Sequence, residues 1–139
     1  MLNRILGAVV GVVVAVVVVM ISQTVSHLAF PPPPDLNWAD AAAVRAYMQQ
    51  MSVLAFLSVI LGYAAAAFVG GWLANLMARQ QGWQSWVPAG FVVLGTIYTV
   101  SQLPHPVWYP TTAILAILGA GLLGGRMGTA KADQSSTTT

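Results

Sequence analysis

The chain has no cysteine and no glutamate. The first absence excludes disulfides, thiolate metal sites and thiol redox chemistry. The second leaves Asp35, Asp40 and Asp133 as its only acidic side chains. Charge of either sign is scarce: the charged fraction of the 139 residues is 6%, against about 25% in a soluble domain. A surface so poor in charge does not keep a chain monomeric in water. The formal net charge of +2 and the pI near 9.4 rest on five basic and three acidic side chains, too few to indicate a nucleic-acid partner. What the chain has instead is apolar residues, 58% of the total, with a mean hydropathy of +0.77. These values place it among membrane proteins.

The apolar material falls into four blocks. Arg4 precedes Ile5–Ile21, a run of Val, Ala, Gly and Ile that continues to Ser26. An isolated strand in lipid leaves its backbone polar groups unpaired, so the block predicts a helix over about 5–26. Its length and the lack of an A-x-A site after it favour an uncleaved anchor over a signal peptide. The second block, 52–78, carries Gly62, Ala66, Gly70, Ala74 and Ala78 every fourth position, flanked by Ala67 and Gly71. Such spacing lets helix backbones approach closely in lipid, where packing drives association. Gly7, Gly11 and Ala15 repeat it in the first block, and Ala116, Ala120, Gly124 and Gly128, beside Gly121 and Gly125, in the last. The third block spans 87–103 and ends at Pro104-His105-Pro106; the fourth spans 109–127. Trp83, Trp86, Trp108 and Tyr109 mark interfaces.

Between the first two blocks, Pro31–Pro34 acts as an extended spacer. Asn37 then reads as a helix cap with Asp40 in the first turn. Ala41, Val44, Tyr47, Met48 and Met51 recur at helical spacing. A short amphipathic helix over about 38–50 is expected, with Trp38 and Tyr47 at headgroup level. The tail, 128–139, is polar and low in complexity and is expected to be disordered and cytoplasmic. The fold class is therefore all-α: an integral membrane bundle of four transmembrane helices with a short amphipathic helix in the first outer loop. Arg4, Arg79, Arg126 and Lys131 then share one side, which the positive-inside rule makes cytoplasmic, with both termini.

Chemistry is sparse. There is no P-loop, Rossmann fingerprint, zinc-type histidine pair or nucleophile elbow. The interiors of the apolar blocks hold no charge, whereas ion-coupled transport needs a residue there to bind the ion. Small multidrug exporters share this size but depend on a glutamate in their first helix, and the polar, glycine-rich run of fluoride channels is missing. No enzyme, metal site or cofactor is expected. One polar constellation remains. The outer ends of helices one and three would gather Ser22, Gln23, Ser26, His27, Thr99, Ser101, Gln102 and His105. Gln23, His27, Gln102 and His105 are the candidate ligand-binding residues of an outward pocket; alternatively, both imidazoles cap helix ends beside proline turns. Gly62, Ala66, Gly70, Gly71, Ala74, Gly121, Gly124 and Gly125 are the candidate packing residues, and Asn75 is a candidate polar link between helices.

HLAFPPPP after the first helix, RAYM in the loop, AFVGGWLAN in helix two and HPVWYP before helix four form an ordered set. In these the chain resembles small, uncharacterised four-helix proteins of the bacterial inner membrane. The resemblance covers the chain to about Met127 and implies that location, but brings no activity or site residue. The function expected is non-enzymatic: an accessory or structural subunit of a larger membrane complex, or a homo-oligomer. The bilayer and a membrane-protein partner or a second copy would be its contacts, without nucleic acid. The alternative is a binder or conduit for a lipid-like or uncharged ligand, using the outward pocket.

Overall fold

The structure is a computed structural model, which describes residues 1–137. Five helices follow one another: α1 (Leu2–Ala29), α2 (Ala41–Gln50), α3 (Val53–Ala78), α4 (Trp86–Gln102) and α5 (Trp108–Thr137). A 3-10 turn, Trp83–Ser85, leads into α4. Among the described residues, three helices are long and apolar enough to cross a membrane: α1, α3 and the Trp108–Ser135 part of α5. At 1.5 Å per residue each is about 40 Å long, more than the ~30 Å of hydrocarbon. α4, with 17 residues, is shorter.

α3 is the centre because its small residues let two other backbones come close. Ala66, Ala67 and Ala74 are wholly buried. On one side α1 runs antiparallel to it: Gly7 lies at Ala74, Gly11 at Gly70 and Ser22 at Gly62. A Cβ on Gly7 would stand 2.5 Å from the Ala74 carbonyl oxygen, so the site tolerates no larger side chain without movement. On the other side α5 runs parallel to α3. Gly121 packs on Ala67 and Gly71, Gly125 beside Asn75, and Gly124 and Gly128 face the carbonyl oxygens of Phe68 and Trp72. A Cβ on Gly124 or Gly128 would run into those oxygens, which is why glycine occupies both positions. α4 wedges in with Pro88 against Gly11 and Gly70 and Ala89 against Gly121. Pro88 falls in the first turn of α4, where its missing N–H breaks no helical hydrogen bond. Large apolar residues such as Val13, Leu61, Leu94 and Leu115 point outward and are exposed.

The bundle has two distinct ends. At the end carrying the chain termini, Arg4 donates to the Gln80 side-chain oxygen at 2.6 Å, and the Lys131 ammonium sits 5.6 Å from the centre of the Trp72 ring. Arg79 closes α3 there in the left-handed region, with φ of 54°. At the other end α2 folds over the bundle. Val44 and Met48 are buried in a cluster with Phe56, Ile60, Tyr109 and Ala113, while Arg45, Gln49 and Gln50 are exposed.

Three expectations change. α2 starts at Ala41 rather than 38, because the cap is Asp40, whose carboxylate accepts from the Ala42 and Ala43 N–H groups. Asn37 instead accepts from Ala39 N and shapes the turn before it. α5 does not stop at Met127: it continues helical to Thr137, with Gly128 against Trp72 and Ala132 buried, so residues 128–137 are not a disordered tail. Low-complexity polar sequence hid the small residues Gly128 and Ala132, which sit at helical spacing on the packed face. The expectation for Thr138 and Thr139 lies outside the described residues.

Candidate ligand pocket

The polar side chains of the α2 end do not all converge. Ser26 donates to the Ser58 hydroxyl at 2.8 Å, since Ser58 gives its own proton to the Ala55 carbonyl. This bond ties α1 to α3 without forming a cavity. Deeper along α3, the Gln23 amide donates to the Tyr63 hydroxyl oxygen at 3.0 Å. Tyr63 thereby accepts from Gln23, and its hydroxyl is also hydrogen-bonded to the Thr99 side chain, which gives its own proton to the Gly95 carbonyl. Above this pair lies a cavity of about 150 Å³, walled by Gln23, Ser26 and His27 of α1, Phe56 and Tyr63 of α3, Thr99 of α4, and His105 and Tyr109. Met48 of α2 and Trp38 of the preceding loop cover it.

The sequence-derived candidates divide accordingly. Gln23, His27 and His105 line this one cavity. Gln102 does not; it is exposed and faces a separate groove with Arg45 and Trp38. Ser101 bonds the Tyr98 carbonyl and is exposed, and Ser22 packs against Gly62. His105 is fixed in place. Its Nδ1 lies 2.8 Å from the Leu103 carbonyl, which can only accept, so Nδ1 carries the proton. Its ring stacks on Tyr109, with centroids 4.7 Å apart and planes 19° from parallel. Phe56 meets both His105 and Tyr109 edge-on or tilted, at 6.2 and 5.4 Å. The result is a wall of flat rings tilted against one another or stacked, arrangements aromatic quadrupoles favour over a face-to-face sandwich.

Tyr63, Phe56, Tyr109, Trp38 and Met48 were missed as pocket residues. Tyr63 could have been found: it is the one hydroxyl-bearing ring in a stretch of small residues. The others could not, because only the placement of α2 brings them together. The walls contain no Asp, Glu, Lys or Arg. Among the described residues no group of three His, Cys, Asp or Glu comes close enough to hold a metal ion.

A second buried polar group sits at the termini end. The Asn75 amide donates to the Gly125 carbonyl at 3.0 Å and accepts from Gln84 at 2.8 Å. Gln84 also donates to the Gln80 carbonyl at 2.7 Å, while its own side-chain oxygen, fully buried, has no partner. This group joins α3, α5 and the turn before α4, and no side chain in it reaches a described cavity. No known protein family, curated protein or solved structure matched the chain.

Proposed function

We propose that the chain is a four-crossing protein of the bacterial inner membrane that binds a small, uncharged, lipid-like molecule in the α2-end pocket. The fourth crossing is α4. Because α3 and α5 run parallel, the chain must return through the same thickness between them. Seventeen residues give about 25 Å of helix, at the lower limit for the hydrocarbon. Arg4, Arg79, Arg126 and Lys131 favour a cytoplasmic termini end, so the pocket opens outward beneath the amphipathic α2.

The observation that carries the ligand reading is the charge-free cavity in which Gln23 and Tyr63 present neutral hydrogen-bonding groups beneath aromatic walls. Ligand sites have this composition: apolar surroundings with a few placed polar groups. The competing reading, an accessory subunit or homo-oligomer, rested on small-residue stripes beyond the needs of one bundle. Those stripes face one another inside the chain, which favours the pocket.

The test uses the full-length protein purified in mild detergent, with bound small molecules extracted and identified by mass spectrometry. The double substitution Gln23→Leu with Tyr63→Phe keeps volume and removes the polar pair. A neutral lipid-like molecule retained by the wild type and lost from the variant supports the reading. Equal retention by both, or none by either beside a stoichiometric protein partner, refutes it.

A further inference from the structure

A second hollow adjoins the pocket. It lies between α1 and α4, measures about 370 Å³, and is walled by Val16, Val19 and Met20 on one side and Phe91, Val92 and Gly95 on the other. Gln23, Tyr63 and Thr99 line both spaces, so the two meet at the polar pair. Gly95 makes room for the hollow: a Cβ there would meet nothing within 4 Å, although Phe91, one turn earlier, is a full ring. From Phe91 to Thr99 the hollow follows about 12 Å of helix toward the middle of the bundle.

We propose that the two spaces form one site for a ring-headed amphiphile of the quinone class, its ring in the pocket and its alkyl or isoprenoid chain between α1 and α4. This rests on the ligand reading above. Size limits the head: a cavity of about 150 Å³ is the volume that holds a benzene-sized ring. Charge limits it further. Neither space contains an Asp, Glu, Lys or Arg, so a phosphate-bearing headgroup has no cation to pair with. Arg45, the basic residue of this end, lines other grooves. A neutral ring with carbonyl oxygens meets what is present: the second N–H of the Gln23 amide beside the Tyr63 hydroxyl, and the stacked rings of His105 and Tyr109. Apart from Thr96, the wall of the chain half is apolar until it reaches Gln23, Tyr63 and Thr99, where the ring sits, which orients the ligand.

The experiment uses full-length protein in phosphatidylcholine nanodiscs and saturable quenching of tryptophan fluorescence. Two probes are titrated: a dimethoxy-methyl-benzoquinone with a decyl chain, and the same ring without the chain. Gly95→Leu puts a side chain into the chain half from a position where its Cβ meets nothing within 4 Å, and Gly90→Leu is the control, since a Cβ there is equally unopposed but that glycine lines neither space. The expected result is about a tenfold weaker affinity of Gly95→Leu for the chained probe, unchanged affinity for the bare ring, and no effect of Gly90→Leu. Unchanged affinity of Gly95→Leu for both probes overturns the inference, because the hollow then holds only bulk lipid. Equal weakening for both also overturns it, since the pocket itself was altered. If neither probe binds the wild type saturably while extraction yields another neutral lipid, the quinone assignment fails and the ligand reading survives; if neither probe binds and extraction yields nothing, both fail.

Discussion

The two ends of the bundle treat buried polar groups in opposite ways. At the termini end, Asn75 and Gln84 are wholly buried and bonded to each other and to backbone carbonyls of Gly125 and Gln80. Glycines on α5 bring the backbones together around them and leave no space. At the α2 end, Gln23 and Tyr63 bond across α1 and α3 but border a cavity, because the surrounding residues are rings and not glycines. In lipid a polar side chain must find a partner. The termini end closes around its polar group with protein, the Gln84 side-chain oxygen alone staying unpartnered, whereas the α2 end leaves its polar pair facing open space. Close packing and open space are thereby separated along the axis of the same helix, α3.

The largest effect expected from breaking this contrast is at the closed end. Gly124→Leu drives a side chain into the Phe68 carbonyl and should cost about 3 kcal/mol or more, seen as a lower thermal unfolding midpoint in detergent. Gly119→Leu, at a glycine on the same helix with no neighbour within 4 Å, should change stability by less than about 0.5 kcal/mol. Equal effects at the two positions would show that α3 and α5 are not this close. Next comes Asn75→Leu, which removes two buried hydrogen bonds, leaving the Gln84 amide only the Gln80 carbonyl and the Gly125 carbonyl only its bonds within α5. A loss of about 1–3 kcal/mol is expected by the same measurement. At the open end, Tyr63→Phe should cost only about 0.6 kcal/mol, the average for a hydrogen bond between membrane helices, while weakening ligand retention. A stability loss there as large as at Asn75 would erase the difference between the ends. The smallest change is Arg79→Gly, which relieves a left-handed residue and should raise stability by less than about 1 kcal/mol, measured as the shift in unfolding midpoint.

How much of this was legible beforehand follows from what each feature depends on. The helices and their close-packed faces were, because a four-residue repeat of small residues is a local pattern. Gly70, Ala74, Gly121 and Gly124 needed no partner to be recognised. Half of the pocket was legible as well: Gln23, His27 and His105 are polar residues at ends of apolar blocks, and loop lengths bring those ends together. Gln102 misled because one position along a helix turns a side chain by about 100°, which sets it on the outer face. The aromatic walls depend on α2 lying across α3 and α5, a long-range arrangement that no spacing encodes. The tail failed for a related reason. Its composition favours disorder, and only contact with Trp72 and the rest of the bundle shows what Gly128 and Ala132 are for.

The parallel pairing of α3 and α5 also fixes an order of events in biogenesis. A membrane chain is delivered from its N-terminus, and α1 and α3 can zip together as an antiparallel pair as soon as both have emerged. α5 follows α4 in the chain, so the face of α3 that it covers is covered last. Until then the Ala67 and Gly71 face of α3 lies open to lipid. The helix at the centre of the finished protein is thus completed by the last one made. A chain that ends after Gln102 lacks α5 and leaves Ala67 and Gly71 of α3 without the helix that covers them.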